Sequence, residues 1–467
     1  MYRTTLATLR SPESSLVPEI VAFVDEGLGN SSYLVDLGEG RALMVDPARD
    51  ASPYREEAER RGLTFSHTVE THLHADFVTG SRELAARGAT VLAPAAAGIT
   101  WPHRGLGGGD EVELGGLRIQ ALATPGHTPE HLAYLFCDGD RPHALFSGGS
   151  LLVGAVARTD LIAPDQTERL ARALWRSIVE RLLVLPDDLA VYPTHGSGSF
   201  CSAPTNGART TTIGRERAAN PLLGAPDEDA FVARLLAGLG TYPSYFSELR
   251  EVNRQGPRVY GGLPSLSALD AAQVRRLVDA GAALVDVRPI AAFAAGHVSG
   301  SLSIELRPQF ASWLGWLVAR DRPLVFVTDT GTDRRDLVRQ CHNIGYEQLA
   351  GELAGSVRAW EVAGLPTGHL RLVPAERVDG LILDVRQDPE YEAGHLPGAI
   401  HVELGSVPAR LDEIGPGPIT VMCGHGERAT TAVSLLAARH EVDQLRVAVG
   451  GPAEWATGTG QRLEPGR

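Results

Sequence analysis

Two stretches of this chain, 98 positions apart, are written to one plan. ALVDVRPIAAFAAGHVSGSLSIEL begins at Ala283, and LILDVRQDPEYEAGHLPGAIHVEL begins at Leu381. Asp286, Arg288, Gly296, His297 and Gly300 recur in order as Asp384, Arg386, Gly394, His395 and Gly398. A period of that length is one small domain, so the second half must fold as two copies of one unit. After each copy the chain repeats strand, loop and helix. PLVFVT runs into a helix from Asp333, and PITVM into a helix from Glu427. Strands separated by helical patterns predict two α/β domains with parallel sheets.

At 467 residues the chain is too long for one core, and the region before the repeat is a domain of its own. It alternates β-rich runs (SSYLVDLG, ALMVDPA, GLRIQALA) with helical ones, the pattern of a layered α/β or α+β domain. RQGPRVYGGLP is a Gly/Pro-bearing hinge. The expected domains are 1–258, 262–368 and 371–467.

Bulk properties exclude some functions. A net charge of −14 disfavours nucleic acid, whose phosphates need a basic face. No apolar run reaches about 18 residues, so no membrane partner is expected. The N-terminal stretch lacks the apolar core of a secretory signal. Cys137, Cys201, Cys341 and Cys423 are widely spaced, as in reduced cytoplasmic proteins rather than disulfide frameworks. There is no lysine, so Schiff-base chemistry and a lysine-bearing phosphate loop are ruled out.

The sharpest single motif is VMCGHGERATT. Cys423 follows a strand, and Gly424, His425, Gly426 and Glu427 lead to Arg428 at the start of a helical pattern. Such a loop can turn backbone N–H groups inward, and the helix start adds positive field. Both favour an anionic sulfur or persulfide, and Arg428 suits an anionic donor such as thiosulfate. DVRQDPEYEAGHLPGAIHVEL with CGHGER resembles the rhodanese family. The resemblance implies that Cys423 carries a sulfane sulfur from donor to thiol or cyanide, with Gly424 to Arg428 as its pocket. Asp384 and Arg386 are expected to hold the scaffold. In the middle copy the loop reads TDTGTDR, with Thr328 or Asp329 where the cysteine belongs, so no sulfur transfer is expected there.

In the N-terminal region three histidine loops follow strands: THLHADF (His72, His74, Asp76), TPGHTPEH (His127, His131) and YPTHGSGSFC (His195, Cys201). Imidazoles and a carboxylate gathered at loops suit zinc or iron. With ARTDL and TIGRERAANPLL, these segments resemble the metallo-β-lactamase superfamily, most closely persulfide dioxygenases fused to rhodanese domains. The resemblance implies an αββα sandwich and one Fe(II) held by two histidines and an aspartate. It also implies oxidation of glutathione or other low-molecular-weight persulfides to sulfite. His72 and His127 match the ligand histidines, and Arg158 matches an arginine near the substrate. Phe77 replaces the histidine that serves a second metal in two-metal hydrolases, which argues against hydrolysis of the glyoxalase II type. Gly149 stands at the aspartate ligand position. Losing a ligand costs about 10–100-fold or more in affinity or activity. Three substitutes are open: a small anion beside Gly149, the Asp76 carboxylate, or His74 and His195. Iron, zinc and no metal all remain open. Cys201 is either a second persulfide carrier or a plain loop thiol. The expected function is therefore sulfur transfer at Cys423, with thiosulfate, sulfite and thiol persulfides as partners. An iron dioxygenase working despite Gly149 and a non-catalytic sulfur-binding partner are the alternatives. Superfamily relatives often self-associate, which leaves a homo-oligomer open.

Overall fold

In the strand Leu132–Asp138 every residue but the last is buried. Leu132, Tyr134 and Phe136 enter one core, while Ala133, Leu135 and Cys137 enter another. A strand whose alternate side chains both find apolar partners must lie in an inner layer. The computed structural model describes residues 2–5, 18–201, 207–415 and 417–466. The chain divides into two units, Met1–Pro264 with Arg339–Gly345, and Ser265–Val338 with Tyr346–Arg467.

The first unit has two sheets facing each other. One runs in chain order through seven strands, from Tyr2–Thr5 to Arg104–Leu106. The other orders its six strands from Thr211–Thr212 through Ala190–Pro193, Arg141–Gly148, Leu132–Asp138 and Leu117–Ala123 to Glu111–Leu114. Tyr33, Val35, Leu43 and Val45 of the first sheet meet Ile119, Tyr134, Phe136 and Phe146 of the second. Helices cover both outer faces. Tyr54, Ala58 and Leu84 pack on the first sheet, and Ala171, Leu174, Phe231 and Leu235 on the second. The result is the expected αββα sandwich, and all three histidine loops leave strands at one edge of its core.

The second unit contains the repeat as two five-stranded parallel sheets. Their orders match: Ala268–Leu269, Leu349–Leu353, Leu324–Val327, Ala283–Asp286, Leu302–Ser303; and Arg371–Pro374, Leu445–Val449, Ile419–Met422, Leu381–Asp384, Ile400–His401. The repeated motif is a buried clamp in each. Arg288 donates to Asp286 at 2.6 Å and to the Gly296 carbonyl at 2.9 Å. Arg386 does the same to Asp384 and Gly394 at 2.6 and 2.9 Å. His297 and His395 stack on Phe293 and Tyr391 at 4.0 and 3.8 Å. Satisfied buried ion pairs of this kind fix the turn after each strand rather than offer groups for chemistry. No described helix is long and apolar enough to cross a membrane.

Candidate functional site

Cys423 is the first residue after the strand Ile419–Met422, and the helix Glu427–Leu436 begins four residues later. Gly426 makes the turn at φ +117°, a left-handed value that favours glycine. This aims the Gly426 N–H at the Cys423 Sγ, 3.1 Å away. The thiol is 1% exposed, while His425 at the loop tip is exposed. Gly451 closes the floor: a side chain there would stand 3.0 Å from the Cys423 carbonyl oxygen.

Arg428, expected to await an anionic donor, is already engaged. It makes a two-pronged contact with Glu390 at 2.6 and 2.8 Å. Burial disfavours both charges, but the pairing overcomes it, holding Glu390 below the usual carboxylate range and Arg428 above its own. Glu427 is likewise taken, by Arg307 of the middle copy at 3.1 Å. Trp313 and Ile290 of that copy also approach the loop, the first 6.0 Å from the Arg428 guanidinium and the second against Gly426.

Strand register settles which middle-copy residue replaces the cysteine. Asp384 lies opposite Met422, and Asp286 lies opposite Val327. The next residues, Cys423 and Thr328, are therefore equivalent. Thr328 donates to Glu352 at 2.5 Å and accepts from Arg334 at 3.1 Å. A neighbouring cavity is lined by Glu305, Asp329, Asp333 and Asp336, an acidic wall that repels anionic sulfur donors.

In the first unit, five histidines and three acids gather in a fully buried pocket. Rings of His72, His127 and His195 stand mutually edge-on, with centroids 4.8, 5.3 and 5.2 Å apart. Burial drives the His72 and His127 imidazoles toward the neutral form. His131 is closed off by Thr124 on one nitrogen and the Gly149 N–H on the other, and burial pushes it down to about 3. His74 behaves oppositely. Burial again opposes its charge, yet Asp46 and Glu70, 3.3 and 3.1 Å from its Nε2, raise it to about 10. Phe77 stacks on its ring at 4.2 Å.

The expected substitutes for the missing carboxylate fare differently. No space for a small anion lies where a side chain at Gly149 would start, because the His127 ring fills it. A Cβ there would be 2.4 Å from His127 Cδ2. The Asp76 carboxylate faces Nδ1 of His195 at 3.2 Å and lies beside the Cys201 thiol. The donor atoms of His127, His195 and Cys201 lie within 4.8 Å of one another, as do those of His72, His74 and His195. Cys201 is buried, which pushes its thiol well above the usual range, and Asp76 adds to the effect. Arg158 lines a cavity with Phe200, Leu235 and Gly240. Its guanidinium binds Asp160, Phe200 and Gly240 and lies 4.2 Å over Tyr242, tying ARTDL to the Cys201 loop. Asp46, Glu70, Asn30, Glu390 and Glu352 were not singled out from sequence. Asp46, in a turn directly after the strand Arg41–Val45, carried the one readable signal.

Comparison with known proteins agrees with this architecture. The metallo-β-lactamase superfamily matches residues 25–195, and the rhodanese-like domain matches 270–363 and 370–457. Human mitochondrial persulfide dioxygenase ETHE1 is 29% identical over 198 residues, 41% of this chain and 70% of that protein. A hydroxyacylglutathione hydrolase of Rhodopseudomonas palustris (strain BisB18) is 34% identical over 229 residues, 48% of this chain and 81% of its own. The crystal structure of a metallo-β-lactamase from Staphylococcus aureus subsp. aureus COL, 28% identical, superposes with a TM-score of 0.64. It covers 72% of this chain and 98% of its own.

Proposed function

Because the chain belongs to the metallo-β-lactamase superfamily, in the form that joins a persulfide dioxygenase-like domain to tandem rhodanese domains, we propose that it transfers sulfane sulfur through a persulfide on Cys423. The observation that carries this reading is the Gly426 N–H held on the cysteine sulfur at the start of a ten-residue helix. An amide and a helix start aimed at one atom stabilise negative charge there, which is what a persulfide needs.

In the first half-reaction, Cys423 Sγ attacks the outer sulfur of thiosulfate. The donor's S–S bond breaks, and its electron pair leaves with sulfite. The outer sulfur stays on Cys423 as a persulfide. In the second half, an acceptor thiolate or cyanide attacks that outer sulfur, and the bonding pair returns to Cys423. Gly426 steadies the anion in both halves. Arg428, fixed by Glu390, supplies positive field without leaving its partner. The middle copy serves as a wall, supplying Ile290, Arg307 and Trp313 beside the loop.

Oxidation of persulfides by Fe(II) is not assigned. The two-histidine, one-carboxylate set does not fit these residues, since Gly149 brings no carboxylate and the His127 ring occupies its place.

The test is persulfide loading. Thiosulfate treatment of the full chain is expected to add one sulfur at Cys423, read by mass spectrometry of the peptide, with sulfite released. A Cys423→Ser protein with undiminished transfer to cyanide overturns the reading.

A further inference from the structure

The arginines around the Cys423 loop are not held alike. Arg386 is forked onto Asp384 at 2.6 and 3.0 Å and also donates to the Gly394 carbonyl. Arg428 is forked onto Glu390 at 2.6 and 2.8 Å, with its side chain 15% exposed. A guanidinium in a two-pronged pair keeps its partner, because exchange breaks two aligned charge-assisted bonds at once. Arg307 of the middle copy differs. It donates to Glu427 at 3.1 Å, and its side chain is 28% exposed. A solvent-reached ion pair is worth about 0–1 kcal/mol, so an incoming anion can exchange with Glu427 at little cost.

Glu427 stands next to the atoms that react. It directly follows Gly426, whose N–H contacts Cys423 Sγ at 3.1 Å. The middle copy brings Arg307 to this place by a short tether. Ile290, which begins the helix Ile290–Ala295, lies against Gly426. Its N–H donates to Glu305 at 3.1 Å, and Glu305 is two residues before Arg307. The segment that carries the arginine is thus fixed to the residue that touches the cysteine loop.

We propose that Arg307 binds the anionic end of the sulfur donor, giving up Glu427 for the donor's oxygens, so that the copy without a cysteine sets the donor specificity of Cys423. This rests on sulfur transfer through Cys423. Glu427 is then a resident competitor, whose carboxylate holds in the resting protein the place the donor takes. The oxygens of thiosulfate stay anionic as the S–S bond breaks and the electron pair leaves with sulfite. Arg307 therefore holds ground state and transition state alike, and its effect falls on the donor KM rather than on kcat. A doubly charged donor gains more from it than a singly charged one.

The test measures transfer to saturating cyanide by the full chain from two donors, the thiosulfate dianion and the benzenethiosulfonate monoanion. Arg307→Gln is expected to raise the thiosulfate KM at least about threefold, with kcat within about twofold, and to raise the benzenethiosulfonate KM less. Arg307→Lys, which keeps the charge, should recover part of the loss. Glu427→Gln should lower the thiosulfate KM about two- to fivefold, and adding Arg307→Gln should abolish that gain. A contact that only packs the two copies together would instead be impaired by either change and would not tell the donors apart. A thiosulfate KM that is unchanged in Arg307→Gln or raised in Glu427→Gln overturns the proposal, as do equal changes for the two donors. Sulfur loading of Cys423, read by mass spectrometry in the same proteins, leaves transfer standing in those cases. Absence of loading in the unaltered protein overturns both.

Discussion

The backbone N–H of Gly426 points at the sulfur of Cys423 from 3.1 Å, and the turn that aims it has φ +117°. A side chain at 426 would stand 3.1 Å from Ile290 Cδ1 and 3.3 Å from the Ala448 carbonyl oxygen. Gly426→Ala is therefore expected to move the amide off the sulfur and cost about 1–3 kcal/mol of stability. Persulfide formation from thiosulfate should fall at least about tenfold, because a displaced donor forfeits about 1.4 kcal/mol or more of charge stabilisation. Denaturant midpoints and stopped sulfite-release assays on the two proteins read both effects.

Thr328 occupies the cysteine position of the middle copy, so Thr328→Cys restores the missing nucleophile there. It is not expected to restore activity. Glu352 contacts that position together with its ion-pair partner Arg334, and three further carboxylates, Asp329, Asp333 and Asp336, line the adjoining cavity and leave the charge there negative. A dianionic donor meets like charge. In a Cys423→Ser background, Thr328→Cys should gain no sulfur after thiosulfate treatment; a sulfur adduct on the new cysteine disproves the electrostatic account.

The repeat was readable because a strand end, a clamp pair and a helix start sit at fixed sequence offsets. Two parallel sheets with one strand order follow from it directly. What distinguished Thr328 from Asp329 was strand register, which depends on pairing partners 41 and 38 positions away (Val327 with Asp286, Met422 with Asp384). Arg428 looked like a free cation because its partner, Glu390, lies on a helix 38 residues earlier in the chain. The substitution at 149 was visible in sequence, but its consequence was not. Whether the His127 ring would leave or fill the space depends on packing between loops 22 residues apart.

That packing makes a checkable claim about Gly149. Even a methyl group there would approach His127 Cδ2 to 2.4 Å and Ala157 Cβ to 3.2 Å. Gly149→Ala is expected to destabilise the N-terminal unit by about 1–3 kcal/mol through overpacking. Gly149→Asp should do no better, since its carboxylate can enter only if His127 swings away. Thermal unfolding of both variants is the measurement, and an unchanged or raised midpoint for Gly149→Asp shows that the old ligand position is still open.

Glu390 and Arg428 give the cysteine loop a pH dependence whose sign is fixed. The folded protein holds Glu390 below its ordinary value of 4.5, burial opposing and Arg428 prevailing. The pair therefore contributes stability that is fully present above that value. It is lost as pH falls through the lower folded value, where the carboxyl takes up its proton. With the Glu390 side chain 42% exposed, solvent screens the pair and the contribution is about 1 kcal/mol at most. Other carboxylates titrate in the same range, so the difference between two proteins isolates this one. Unaltered protein should exceed Glu390→Gln in denaturant midpoint near neutral pH, and the gap should close as pH drops below 4.5. A gap that widens on acidification reverses the sign and removes Arg428 as the partner that matters.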